Sequence, residues 1–175
     1  DNESTAVRWR VRGHAQPVWV TWKTEHESVP AVDLDGDGQK EVLCSDASGE
    51  SQTTIYAVRA DGSVYWRSEL PGIDPRLVER FRVGRFRSEG PDVVVTVSPK
   101  TQPEMFCLDG RTGAVRWHQA TWTDASGQVW PYPNRFVFHD DDGDGFDEIY
   151  GTYAYMYYAL DGLSGEPLQT PLNIW

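Results

Sequence analysis

The chain contains three copies of one sequence pattern, and this internal repetition constrains its fold more than any other feature. Residues 33–41 read DLDGDGQKE and align without a gap on residues 140–148, which read DDDGDGFDE. Between them, residues 84–92 read GRFRSEGPD, with the same length and the same apolar run behind them but without the aspartates. Successive copies start 51 and 56 residues apart. A period of this size indicates a repeat architecture.

A second motif follows each copy, and a third motif follows the first two copies and also precedes the first. Residues 106–113 read FCLDGRTG and match 158–165, YALDGLSG, while the first copy, YAVRADG at 56–62, is one residue shorter. The tetrapeptide AVRW stands at 114–117 and at 6–9, and its looser copy SVYW at 63–66. The chain is therefore interpreted as a single segment, 1–175, that holds repeats at about 10–66, 67–117 and 118–169, with a flanking strand at 5–10 from a preceding repeat.

Within a repeat, short runs rich in β-branched and aromatic residues alternate with Gly, Pro, Asp and Ser clusters, a pattern typical of strands and turns. Asp61-Gly62 and Thr112-Gly113 are hairpin signals, because glycine tolerates a positive φ. One short helix is expected around 74–80, with Pro75 in its first turn. The strands of the first repeat are predicted at 18–22, 30–33, 41–45, 54–59 and 63–67.

About four strands per 50 residues is the period of a β-propeller blade. We therefore predict an all-β fold of three four-stranded propeller blades. Propellers typically have about 4–8 blades, so three blades imply a part of a larger ring or an assembled one. A protein partner, or self-association of this chain, is expected to complete the propeller.

The first and third loops are rich in oxygen ligands. Carboxylates stand at every second position, a glutamate follows, and the intervening glycines let the oxygens converge. Ca²⁺ takes about 6–8 oxygen ligands. Two calcium sites are predicted, the first from Asp33, Asp35, Asp37, Glu41 and the Gln39 carbonyl, the second from Asp140, Asp142, Asp144, Glu148 and the Phe146 carbonyl.

These loops are not EF-hands, because position 12 is Cys44 in one and Gly151 in the other, and the flanks are predicted strands. An acidic surface turn is the alternative interpretation, and the full spacing in two copies favours calcium. The middle loop has Gly84, Phe86 and Ser88 at the aspartate positions. We do not expect it to bind calcium.

The acidic loops resemble the FG-GAP or VCBS repeat, the calcium-loop blade of integrin-α-like and secreted bacterial propellers. The second motif, with Cys107, Asp109, Gly113 and Trp117, is similar to the tryptophan-docking repeat of quinoprotein-dehydrogenase-like propellers. Both resemblances imply a propeller, and the first implies a secreted or cell-surface protein. The quinone cofactor PQQ is not expected, because it lies on the axis of a whole ring and the chain has no vicinal cysteine pair.

The net charge and the absence of known catalytic motifs argue against several classes of function. The net charge of −11 argues against a broad nucleic-acid-binding face, and no apolar run approaches the ~18 residues of a membrane span. No Gly-x-Ser-x-Gly, His-Glu-x-x-His or P-loop pattern occurs, so an enzyme is not favoured. A calcium-binding, non-catalytic extracellular segment for adhesion, ligand binding or assembly is predicted. The alternative is a fragment of a secreted polysaccharide lyase of the rhamnogalacturonan-lyase kind.

Several side chains have both a functional and a structural interpretation. His139 is a possible base or ligand, or simply the end of a strand. The two cysteines, Cys44 and Cys107, are interpreted as buried apolar residues rather than nucleophiles. An arginine strip and an aromatic set, in which three tyrosines share one strand face, are candidates for a carbohydrate surface or for ordinary packing. These residues are Arg80, Arg82, Arg85, Arg87, Trp122, Trp130, Tyr132, Tyr153, Tyr155 and Tyr157.

Overall fold

The computed structural model describes residues 31–45, 53–70, 72–73, 78–97 and 102–174. The predicted strands at 5–10 and 18–22 lie outside these ranges. All regular structure in the described residues is β, and among them there is no helix of the length and apolarity that a bilayer crossing requires. The chain divides into two compact units, Asp1–Val78 and Glu79–Trp175.

The first unit contains a four-stranded antiparallel sheet, in which consecutive strands are neighbours. Leu43 pairs with Ala57, and Ala57 pairs with Trp66, so these three residues form one row across the sheet. The strands are β1 (Ala31–Val32), β2 (Glu41–Ser45), β3 (Thr53–Val58) and β4 (Val64–Leu70).

The second unit contains two more four-stranded sheets, again with consecutive strands as neighbours, and a two-stranded hairpin. The second sheet consists of β5 (Val78–Gly84), β6 (Asp92–Val97), β7 (Glu104–Asp109) and β8 (Val115–Gln119). The hairpin consists of β9 (Thr121–Thr123) and β10 (Val129–Pro131). The third sheet consists of β11 (Arg135–His139), β12 (Glu148–Tyr153), β13 (Met156–Leu160) and β14 (Leu172–Asn173).

The prediction of an all-β fold of four-stranded units is confirmed in the described residues. The strand predicted at 41–45 coincides with β2, and those at 54–59 and 63–67 overlap β3 and β4. Gly62 and Gly113 stand in the turns that follow β3 and β7 with φ of 81° and 73°.

Two expectations were wrong. A helix was predicted at 74–80, but residues 78–80 are the start of strand β5. Residues 74–77 lie outside the described residues. Tyr153, Tyr155 and Tyr157 do not share a strand face, because Ala154 and Tyr155 form the two-residue tip of the β12–β13 hairpin. Tyr153 pairs with Met156 on one face, and Tyr157 pairs with Thr152 on the other.

A hydrophobic core joins the second and third sheets. Trp117 of β8 donates from its indole Nε1 to the Gly162 carbonyl at 3.2 Å, and its ring covers Gly165 so closely that an added Cβ would lie 2.9 Å away. Phe86 meets Phe138 edge to face, with ring centroids 5.2 Å apart. The buried members of this core are Phe86, Val94, Met105, Cys107, Trp117, Tyr132, Phe136, Ile149, Tyr158 and Leu160.

Candidate metal centre

In the loop between β1 and β2, backbone amides donate hydrogen bonds to the aspartate side chains of the same loop. Asp33 accepts hydrogen bonds from the amides of Gly36 at 2.6 Å and Gly38 at 2.9 Å. The amide of Asp37 donates to Asp35, and that of Gln39 donates to Asp37. These turns need the positive φ of Gly36 and Gly38, 83° and 86°. Backbone hydrogen bonds, chiefly from Gly38, lower the pKa of Asp33.

The loop between β11 and β12 has the same construction. Asp140 accepts from the amides of Gly143 and Gly145 at 2.8 and 2.9 Å. The amide of Asp144 donates to Asp142, and that of Phe146 donates to Asp144. Two loops 107 residues apart in sequence therefore repeat one hydrogen-bond pattern, as their shared spacing indicates.

The geometry of both loops fits a calcium ion. One carboxylate oxygen from each of three aspartates lies within 4.8 Å of the others, in each loop. Oxygens that bind Ca²⁺ at about 2.3–2.6 Å can be at most about 4.6–5.2 Å apart, so all three fit around a single ion. The triads are Asp33, Asp35 and Asp37 in the first loop and Asp140, Asp142 and Asp144 in the second.

The glutamates take a different place. Glu41 is buried, and its Oε2 accepts from the amide of Leu34 at 2.9 Å. Glu148 accepts in the same way from the amide of Asp141 at 2.8 Å. Each glutamate thus holds the start of its loop, and neither belongs to the converging triad. Direct ligation by these glutamates, and by the carbonyls of Gln39 and Phe146, stays a prediction.

The middle loop, between β5 and β6, holds a cation of its own. Arg87 donates from Nε and Nη2 to Asp92 at 3.0–3.2 Å, and from Nη2 to Asp109. Asp92 is 0% exposed. The loop has no aspartate triad, in agreement with its sequence. The sequence did not predict this contact of Arg87 with Asp92 and Asp109, because all four arginines were interpreted as one surface strip.

The four arginines do not form one strip. Arg80 and Arg82 lie on β5, whereas Arg85 and Arg87 follow its end at Gly84. The backbone of Arg85 makes two hydrogen bonds with Asp147. The Arg85 amide donates to the Asp147 side chain at Oδ2, and the Arg85 carbonyl accepts from the Asp147 amide, both at 2.7 Å. This contact fixes the third-sheet acidic loop to the middle loop. Asp147 was missed, because Lys40 occupies its position in the first loop.

The aromatic set is mostly structural. Tyr132 is 2% exposed and lies in the core, so it is not part of a surface. Trp122 and Trp130 form a cross-strand pair and pack partly buried against the same core. Tyr155, 61% exposed, lies at the tip of the β12–β13 hairpin. These positions favour the packing interpretation for most of the set, and a carbohydrate surface stays a hypothesis.

The cysteines and His139 fit their structural interpretations. Cys44 and Cys107 lie buried on β2 and β7, and no disulfide joins them. Burial raises the pKa of Cys107, so its thiol stays protonated at neutral pH. His139 is exposed and ends β11 directly before the acidic loop.

Neither protein-family models nor the sequences of curated proteins match the chain. Function must therefore be inferred from its own residues.

Proposed function

We propose that this protein is a calcium-binding, non-catalytic β-propeller segment of a secreted or cell-surface protein, which acts in adhesion, ligand binding or assembly. The observation that carries the proposal is the pair of aspartate triads, each with three carboxylate oxygens within 4.8 Å. Each triad also stands at the same place, directly before the second strand of a four-stranded sheet.

Calcium would act on the fold through charge. Three carboxylates within one small loop repel each other, and one divalent ion offsets this repulsion and replaces water with fixed ligands. Two ions would move the formal charge from −11 to −7. Because the loops are exposed, the affinity expected is that of extracellular modules, about 10⁻⁴–10⁻³ M.

The packing of the second sheet on the third supports the propeller part of the proposal. The indole of Trp117 reaches across to the turn at 162–165, which is the interblade contact that the resemblance implies. The opposite face of the third sheet carries exposed apolar side chains, with Val137 56% and Leu172 51% exposed. A protein partner, or a second copy of the chain, would cover that face.

The test is thermal unfolding in calcium and in chelator. We expect the melting temperature to be higher in calcium, and the difference to vanish in the double variant Asp35→Ala, Asp142→Ala, which removes one carboxylate from each triad. Isothermal titration should show two sites in the parent protein and weakened binding at both in the variant.

The matched control is Asp61→Ala, which removes an acidic side chain from a turn outside both triads. It should leave the effect of calcium unchanged. If the double variant still responds to calcium as the parent does, these triads are not the sites.

A further inference from the structure

The first and second sheets can be aligned residue by residue from their strand pairing. The row Leu43, Ala57, Trp66 in the first sheet corresponds to the row Val94, Cys107, Trp117 in the second. The third strands of both sheets have an irregularity at the same step, between Ala57 and Val58 and between Cys107 and Leu108. The equivalent positions that follow are Glu41 with Asp92, Gly36 with Arg87, and Arg59 with Asp109.

The base and the acid exchange places between the two sheets, because Arg59 corresponds to Asp109 and Arg87 stands in a loop position that is Gly36 in the first sheet. In the first sheet the loop is acidic and the end of the third strand is basic, with Arg59 Nη2 3.8 Å from Asp35 Oδ2. In the second sheet the loop supplies the base, Arg87, and the end of the third strand supplies the acid, Asp109. In these two sheets, the loop and the end of the third strand therefore carry opposite charges.

We propose that Arg87 is the resident cation of the middle repeat, a tethered guanidinium that neutralises Asp92 and Asp109 and holds the loop between β5 and β6 without a metal. The comparison with a metal rests on the proposed function, whereas the role of Arg87 itself does not. Its consequence is that the middle repeat needs no calcium, so that calcium acts on the first and third repeats alone.

The chemistry of the cluster supports this role. Asp92 is fully buried at the position of Glu41, and a buried carboxylate is tolerated only with a partner. Arg87 meets it with two donor atoms and is charged at any relevant pH. Hydrogen bonding to Asp92 raises the pKa of Arg87 further. Arg116 stands at the edge, with Nε 3.9 Å from Asp92.

The experiment compares Arg87→Gln, Asp92→Asn and the double variant by thermal unfolding, in calcium and in chelator. Arg87→Gln leaves the carboxylate buried without its main partner, so its melting temperature should fall by about 10 °C in both conditions. The double variant removes the charge as well and should regain most of that loss. Arg116→Gln, the matched control at the edge, should change the melting temperature by far less.

A chemical rescue tests the cation directly. Millimolar methylguanidinium should raise the melting temperature of Arg87→Ala, whereas sodium chloride of equal ionic strength should not. The proposal is overturned if the double variant is as unstable as the two single losses added together, since Arg87 would then act through packing rather than charge.

The proposal is also overturned if the loss in Arg87→Gln appears only in calcium, because the middle loop would then belong to a metal site. Failure of the proposed calcium function has a different signature. The melting temperature of the parent protein would then be the same in calcium and in chelator. The melting temperatures of the Arg87 and Asp92 variants in chelator would still test the role of Arg87.

Discussion

At the scale of single residues, Gly165 shows how one position can fix the contact between two sheets. Its φ is +73°, and a Cβ there would lie 2.9 Å from the Trp117 ring. We expect Gly165→Ala to cost about 3 kcal/mol, because a left-handed alanine costs roughly 1–2 kcal/mol and overpacking adds a similar amount. Urea unfolding measures this loss.

The matched control is Gly127→Ala. Gly127 has a φ of +85° but nothing within 4 Å of the added Cβ, so only the backbone cost of about 1 kcal/mol applies. Equal losses in the two variants would show that the ring of Trp117 does not constrain Gly165, and that the turn is free to shift.

At the scale of elements, one carboxylate accepts four hydrogen bonds in the β9–β10 hairpin. Asp124 accepts from the amide and the hydroxyl of Ser126, the amide of Gln128 and the indole Nε1 of Trp130. The hydrogen bonds from Ser126 and then Trp130 lower the pKa of Asp124 to about 2. Its folded pKa is below the unfolded value, so its stabilisation is present above pH ~4 and is lost as the pH falls toward 2.

We therefore expect Asp124→Asn to be less stable than the parent at pH 5 and the two to converge toward pH 2, as followed by near-UV circular dichroism during thermal unfolding. In the Ser126→Ala background, which lacks the leading hydrogen bond that lowers this pKa, the convergence should be complete at a higher pH. A difference between parent and Asp124→Asn that stays constant from pH 5 to 2 would contradict this account.

Element by element, the sequence indicates strands and acidic loops well because both depend on local pattern. Strand β2 and the glycines of the loops follow from alternation and from the need for positive φ. The prediction that three tyrosines share one strand face was wrong because Ala154, in the hairpin tip, has a φ of 51°, which is uncommon for alanine. The turn contains neither Gly nor Asn, the residues from which a sequence predicts a turn with positive φ. The contact of Arg87 with Asp109 depends on the register of β6 with β7, which sets Asp109 opposite Asp92 and which the local sequence pattern does not specify.

At the scale of the whole molecule, the two faces of the third sheet differ in what covers them. Phe136 and Ile149 point into the core shared with the second sheet. Val137 pairs with Tyr150, and Leu172 pairs with Tyr157, on the other face, where the two tyrosine rings stack with centroids 6.2 Å apart. The exposed side chains of Val137 and Leu172 therefore extend an apolar surface that the described residues leave open.

We expect this open face to bring copies of the chain together, because an exposed apolar sheet face gains free energy when another surface covers it. Light scattering should give a mass above 19.8 kDa that rises with concentration, and Val137→Lys with Leu172→Lys should return it to that of one chain. Val115→Lys, an exposed apolar position on the second sheet, is the control and should not change the mass. A single-chain mass for the parent at all concentrations, in calcium and in chelator alike, would contradict this expectation.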